Sequence, residues 1–141
     1  MTVQRIDHVH IEVADRDVAA AWYERVLGLV RHAQLADWAT DPMGPLILAA
    51  GNRAPALSLF ARGCAAPSRD ATIAFLMTGA DFAAFAARLP DLRLATDGGG
   101  ILRTSDRVDH GASTSFYFTD PDGNRLEVTC YDAPQARGSE S

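Results

Sequence analysis

The sequence predicts an α+β fold built from two βαβββ units packed as a half-open mixed β-sheet barrel. Three observations carry this prediction. The order strand, helix, strand, strand, strand occurs twice along the 141 residues. An offset of 64 positions lays residues 6–25 over residues 70–89 without a gap, so that Val9 and Ile11 meet Ile73 and Phe75, and Asp17 meets Asp81. That is the mark of an internal duplication. The strands alternate apolar with polar residues, which gives each sheet one face for a helix and one polar face.

In the first unit, about residues 4–61, residues 5–13 read as a strand. Ile6, His8, His10 and Glu12 fall on one face and Val9, Ile11 and Val13 on the other. Asp15 and Asp17 can cap the helix that follows. Val18, Ala21, Trp22, Val26 and Leu29 then recur at near-helical spacing, and Gly28 marks the stop. Core packing is the expected role of Trp22 and Tyr23. Three strands are expected next, at 30–37, 45–50 and 56–60, separated by the turn signals D-P-M-G-P and G-N-R-A-P.

The second unit, about residues 70–132, repeats the order. Residues 72–77 form an apolar strand, and 81–89 a helix with Phe82, Phe85, Ala86 and Leu89 on one side and Pro90 as its terminator. Strands are expected at 92–96, 113–119 and 124–131. By alternation Phe116, Phe118, Leu126, Val128 and Cys130 face the helices, while Ser115, Tyr117, Glu127 and Thr129 join His8, His10 and Glu12 on the polar side. Polar faces turned inward make a half-open, polar-lined cavity. Residues 1–132 are thus read as one domain and 133–141 as a polar, frayed tail.

Composition narrows the function classes. An apolar content of 48% and a charged content of 22% fit one globular domain able to bury roughly 70% of its unfolded surface. The net charge of -5, with scattered basic residues, argues against nucleic acid and anionic membranes as partners. The longest apolar stretch, near residues 45–50, is too short to span a bilayer, and the polar start M-T-V-Q-R-I-D lacks the layout of a signal peptide. A cytoplasmic protein is expected. Cys64 and Cys130 form no C-x-x-C or zinc-ribbon spacing and are read as reduced thiols.

Two segments are specific. H-V-H-I-E-V-A-D-R-D-V-A-A-A-W-Y-E-R-V-L-G-L at 8–29 and H-G-A-S-T-S-F-Y-F-T-D-P-D-G-N-R-L-E-V at 110–128 together resemble the vicinal oxygen chelate superfamily. That superfamily includes glyoxalase I, extradiol ring-cleaving dioxygenases, and fosfomycin- and bleomycin-resistance proteins. The resemblance spans nearly the whole chain and implies the glyoxalase/bleomycin-resistance/dioxygenase fold. It leaves the reaction open, because the fold hosts lyases, oxygenases, transferases and metal-free binders.

In metal-dependent members, a His on the first strand of each half and a carboxylate on the last strand hold a divalent ion. Fe, Mn, Ni and Zn all suit such a set and keep open positions for a chelating substrate. The resemblance places His8 at the first ligand and Glu127, in D-P-D-G-N-R-L-E, at the carboxylate. The second His should stand at position 72, which is Thr72, and the extra carboxylate of glyoxalase I should fall near Ser58. Both departures count against an ordinary glyoxalase I or extradiol triad. His10, two residues from His8 on the same face, is either a replacement ligand or a polar lining residue. His8 and Glu127 are either metal ligands or a hydrogen-bonded remnant pair.

The run D-H-G-A-S-T-S-F-Y-F-T-D-P-D-G resembles the segment of single-domain extradiol-type proteins in which a loop His and a strand Tyr stand beside the metal. The resemblance makes His110 an acid or base toward bound substrate and Tyr117 a hydrogen-bond donor. The plain alternatives are a loop histidine held in solvent by Asp109, and a cavity-wall tyrosine. D-P-D-G-N at 120–124 is a turn and no calcium loop, because the required Gly and Glu would fall on Arg125 and Tyr131. Gly98, Gly99 and Gly100 open no helix and cradle no phosphate; they are expected to let the 98–112 loop move over the cavity mouth. The reading favoured is a homodimeric, divalent-metal-dependent enzyme acting on a small molecule with adjacent oxygens, dioxygenase-like or glyoxalase-like. The alternative is a metal-free binding protein of the bleomycin-resistance type.

Overall fold

The computed structural model describes residues 1–63 and 71–131. The expectations for Cys64 and for the tail fall outside them. The chain forms two compact units, Met1–Pro67 and Ser68–Ser141. The first holds β1 (Val9–Glu12), α1 (Arg16–Leu27), β2 (Val30–Arg31), a 3₁₀ helix (Ala33–Thr40), β3 (Leu46–Ala49) and β4 (Pro55–Phe60). The second holds β5 (Ile73–Leu76), α2 (Gly79–Leu92), a 3₁₀ turn (Thr104–Asp106), β6 (Val108–Asp109), β7 (Thr114–Thr119) and β8 (Arg125–Cys130). The architecture is α+β, and each unit carries one four-stranded mixed sheet. The strand orders are β1-β4-β3-β2 and β5-β8-β7-β6, so the two sheets share one topology.

Their registers coincide as well. β1 runs parallel to β4 with Val9 against Leu57 and His10 against Ser58. β5 runs parallel to β8 with Ile73 against Leu126 and Ala74 against Glu127. The 64-residue offset therefore holds on the edge strands, and Ser58 is the structural counterpart of Glu127.

α1 starts where Asp15 accepts the backbone N–H groups of Asp17 and Val18, and stops at Gly28, whose φ of 70° suits a residue without Cβ. Its buried side is Ala19, Ala20, Tyr23 and Val26. This corrects the face expected from Val18, Ala21 and Trp22: Val18 is 64% exposed while Tyr23 is fully buried. Both stripes satisfy helical spacing. The small Ala19 and Ala20 let the backbone approach the sheet while Tyr23 fills the space against it. In the second unit Phe82 of α2 stacks on Phe116, with ring centroids 5.1 Å apart, and Phe85 packs against Phe116 and Phe118. Phe116, Phe118, Leu126, Val128 and Cys130 are buried on that helix-facing side, and Cys130 is a free thiol.

Four further expectations need correction. β1 is shorter than residues 5–13, pairing with β4 only from Val9 against Leu57 to Glu12 against Phe60. The strand expected at 30–37 is only Val30–Arg31 before the chain coils into the 3₁₀ helix. The Arg16 guanidinium gathers that segment by donating to the carbonyls of Ala39, Asp41 and Gly44, a long-range contact that local spacing does not announce. α2 runs through Pro90 to Leu92, since a proline in the last turn forfeits one helical hydrogen bond while Leu92 gains burial.

The strand expected at 92–96 is absent. Ala95 makes isolated bridges to Ile101 and Thr119, and the remaining edge of β7 is taken by β6, with Val108 against Ser115. Residues 98–112 are linked to their surroundings by backbone hydrogen bonds. Thr96 N–H donates to Gly100 O, Leu102 N–H to Leu94 O, and Arg103 N–H to the Asp106 carboxylate, with Leu102 buried. No helix among the described residues is long and apolar enough to cross a membrane.

Candidate active site

The polar face of the second sheet is organised around Glu127. β7 and β8 are antiparallel with Tyr117 opposite Glu127 and Ser115 opposite Thr129, so period-two alternation puts all four side chains on one face. Ser115 is fully buried and its hydroxyl donates to Glu127 Oε2 at 2.7 Å. Thr129 Oγ1 lies 3.0 Å from Ser115 Oγ and 3.3 Å from the Thr114 carbonyl, so its proton goes to one of these. One oxygen of the carboxylate is thus engaged by a buried hydroxyl.

The phenol of Tyr117 lies beside this carboxylate. Burial, and next the negative charge of Glu127, push its pKa above the usual 10, while a Ser115 hydrogen bond acts in the opposite direction. The phenol therefore keeps its proton at neutral pH. His110 Nε2 stands 2.9 Å from the Tyr117 hydroxyl. His110 opens a tight turn, its N–H donating to Ser113 O, while Asp109 accepts the Gly111 N–H. Asp109 thus serves the backbone of the turn, and the His110 ring is engaged by Tyr117. The phenol stands between the carboxylate and the imidazole, whose Nε2 donates or accepts according to its tautomer, and that geometry can relay a proton.

In the first unit, the other expected ligands are each paired with a carboxylate. His8 stands one residue before β1 and donates from Nδ1 to Asp7 Oδ2 at 2.8 Å, which holds the Asp7 carboxyl below its ordinary pKa. His10 donates from Nε2 to Glu12 Oε1 at 3.0 Å, and its ring packs 4.1 Å from that of Phe60. Thr72 is exposed and stands one residue before β5, the same relation that His8 has to β1. Among the described residues, no group of three or more His, Cys, Asp or Glu side chains is placed to hold a metal ion.

Three features escaped the sequence reading. The Asp7–His8 pair was legible as two adjacent residues. The stack of Arg62 on Phe60 has no local signature. His32, whose Nδ1 is buried without a hydrogen-bond partner among the described residues, looked like part of a strand.

The sequence profile of the Glyoxalase/Bleomycin resistance protein/Dioxygenase superfamily matches residues 5–128. The chain belongs to this superfamily. No protein of curated function matches it. Similar solved structures include the oxidase ChaP-H2, 25% identical with a TM-score of 0.66, covering 92% of this chain and 94% of that one. A glyoxalase/dioxygenase from Nostoc punctiforme is 20% identical with a TM-score of 0.65, covering 91% of each chain. A mutant of the fosfomycin resistance protein FosX from Listeria monocytogenes, complexed with Mn(II) and a dihydroxypropylphosphonic acid, is 14% identical with a TM-score of 0.69, covering 96% and 98%. The last two establish the superfamily's fold and leave the chemistry to the residues of this chain.

Proposed function

We propose that this chain is a divalent-metal-dependent enzyme of the superfamily, acting on a small molecule with adjacent oxygens in a dioxygenase-like or glyoxalase-like reaction. The observation that carries the reading is the contact of His110 Nε2 with the Tyr117 hydroxyl at 2.9 Å, beside a carboxylate locked by Ser115. Each unit offers a residue with a metal-binding atom. Asp7 takes the Nδ1 proton of His8 and leaves Nε2 as a lone-pair donor, the second-sphere arrangement usual for metal-bound histidine. Glu127 supplies a charged oxygen. Fe, Mn, Ni and Zn all accept this nitrogen and oxygen set. His10, with Nε2 on Glu12, has Nδ1 to offer as a replacement for the missing imidazole at Thr72.

A bound divalent ion would hold the substrate's oxygens and acidify a hydroxyl among them. The chain's own residues do the rest. Ser115 orients Glu127, Tyr117 donates a hydrogen bond through a phenol that stays protonated, and His110 takes or returns a proton through that phenol or directly. Metal content after chelator-free purification, with turnover measured on candidate vicinal-oxygen substrates, tests the reading. An intact protein that takes up no metal on reconstitution overturns it.

One observation favours a second reading. Thr72 replaces the second imidazole and Ser58 the extra carboxylate, which suits a protein that binds its small molecule without metal. Ligand binding that survives exhaustive chelation is its signature.

A further inference from the structure

The dipeptide Asp-Gly occurs twice in the chain, at Asp97-Gly98 and at Asp122-Gly123. In this pair a side-chain carboxyl adjoins a backbone nitrogen that no following Cβ shields, so the nitrogen can attack the carboxyl within the chain. Both pairs lie in turns closed by a hydrogen bond from the fourth residue's N–H to the first residue's carbonyl. They occupy different places in those turns.

In the first turn Gly99 N–H donates to Thr96 O at 3.0 Å, which makes Asp97 and Gly98 the two central residues. The N–H of the third residue in such a turn has no part in the closing bond. Thr96 N–H goes to Gly100 O and Gly100 N–H to Thr96 Oγ1, so the bonds that fix this tip pass on either side of Gly98. Asp97 and Gly98 are both exposed, and a Cβ built on Gly98 would meet no described atom within 4 Å.

In the second turn the glycine is one place further on. Gly123 is the fourth residue, and its own N–H closes the turn on Asp120 O at 3.0 Å. The Asp120 carboxylate, 3% exposed, accepts the backbone N–H groups of Asp122 and Asn124 and the Asn124 side-chain amide. The nitrogen that would attack Asp122 is thus engaged, and the residues around it are tied to a buried carboxylate.

We propose that Asp97-Gly98 is a site of covalent self-modification, at which Asp97 converts to isoaspartate through a succinimide while Asp122, before the same residue type, is protected by its turn. The Gly98 nitrogen bonds to Asp97 Cγ, and the departing carboxyl oxygen leaves as water with the amide proton and one proton from solvent. Water then adds to the ring carbonyl that was the Asp97 backbone carbonyl and breaks its bond to the Gly98 nitrogen. The main chain now runs through Asp97 Cβ and Cγ, and the former backbone carbonyl is a free carboxylate. Nothing is oxidised or reduced, and the mass returns to its starting value. Below the tip, Leu102 N–H on Leu94 O and Thr119 N–H on Ala95 O hold the two arms, so the three glycines absorb the extra backbone atom. The site takes no part in the metal reading.

The native full-length chain, kept warm at neutral pH, tests this. Trypsin separates the two sites into peptides 94–103 and 108–125. Methyl transfer by an isoaspartate-specific carboxyl methyltransferase reads each one. Isoaspartate should accumulate in 94–103 and stay at its starting level in 108–125. In urea-unfolded chain, where neither turn persists, both peptides should gain it. Gly98→Ala, which shields the nitrogen at an exposed position, should bring native 94–103 down to the level of 108–125. A native 94–103 peptide that stays aspartyl overturns the proposal, as does an undiminished signal in Gly98→Ala. Equal accumulation in the two native peptides, or protection of 108–125 that persists in the unfolded chain, also overturns it, because the turn would then not be what distinguishes the sites.

Discussion

Tyr117 and Glu127 face each other directly across β7 and β8, and this single cross-strand pair ties the candidate proton-handling phenol to the candidate metal-binding carboxylate. The phenol is raised by burial and by the carboxylate's charge. A phenol raised in the folded state stays protonated when the unfolded one has begun to ionise, so its stabilising contribution is complete below pH 10 and is lost as pH rises through the folded value. In chelator-treated protein, melting temperature should therefore fall from about pH 10 upward, and Glu127→Gln should bring the Tyr117 titration down. Ultraviolet difference titration reads this directly. An unchanged titration in Glu127→Gln would show that its charge does not act on the phenol.

Metal binding gives a paired prediction. Glu127→Ala should abolish uptake of about one divalent ion per chain, and Thr72→His should tighten it by restoring an imidazole at the position equivalent to His8. Elemental analysis and competition with a chromophoric chelator measure both. If Thr72→His leaves affinity unchanged, the position of residue 72 relative to the ligand set is misassigned.

His110 and His10 should separate kinetically. His110→Ala is expected to lower turnover by roughly 10²- to 10⁴-fold while sparing metal content, as for a group acting on substrate. Tyr117→Phe should follow it in part, because it removes the hydroxyl that His110 contacts. His10→Ala should lose metal first and turnover only as a consequence. Equal loss of metal and turnover in His110→Ala would make His110 a ligand instead.

The face of α1 can be tested by unfolding. Tyr23→Ala should destabilise by about 3–5 kcal/mol, as large buried side chains do, and Val18→Ala by no more than about 0.5 kcal/mol. Urea denaturation of the two variants gives the comparison. Similar losses would return Val18 to the buried stripe.

Exposed apolar residues at the strand edges, Leu76 on β5 at 71% and Val30 on β2 at 47%, are surfaces that a second copy of the chain would cover. A homodimer is expected in sedimentation at micromolar concentration. A monomer there would reject it.

Much of this protein was determined by local sequence alone. Strict alternation in Leu126, Glu127 and Val128 separates the polar face from the helix face, because a strand's side chains have no third direction. Asp15 and Gly28 bound α1 because a cap needs a side-chain acceptor and a left-handed residue, and few residues supply either. The repeated order, its 64-residue offset and the two motifs carried the superfamily.

What local sequence left open is wherever two local choices cost nearly the same. Val18 and Tyr23 lie on stripes of equal periodicity, and only the sheet beneath α1 selects one. Residues 33–40 could extend or coil until Arg16 claims the Ala39 carbonyl, and those of Asp41 and Gly44 just beyond, from far away in sequence. Leu94 is as apolar as a strand residue, yet the edge of β7 opposite Ser115 goes to Val108. The site divides the same way. Glu127, Tyr117 and His110 were legible as residue types in a motif. The Ser115 hydroxyl on Glu127, the His110 imidazole on Tyr117 and the Arg62 Nε–H on the Met43 carbonyl exist only once separate strands and turns are brought within hydrogen-bond distance, and the tertiary structure decides that.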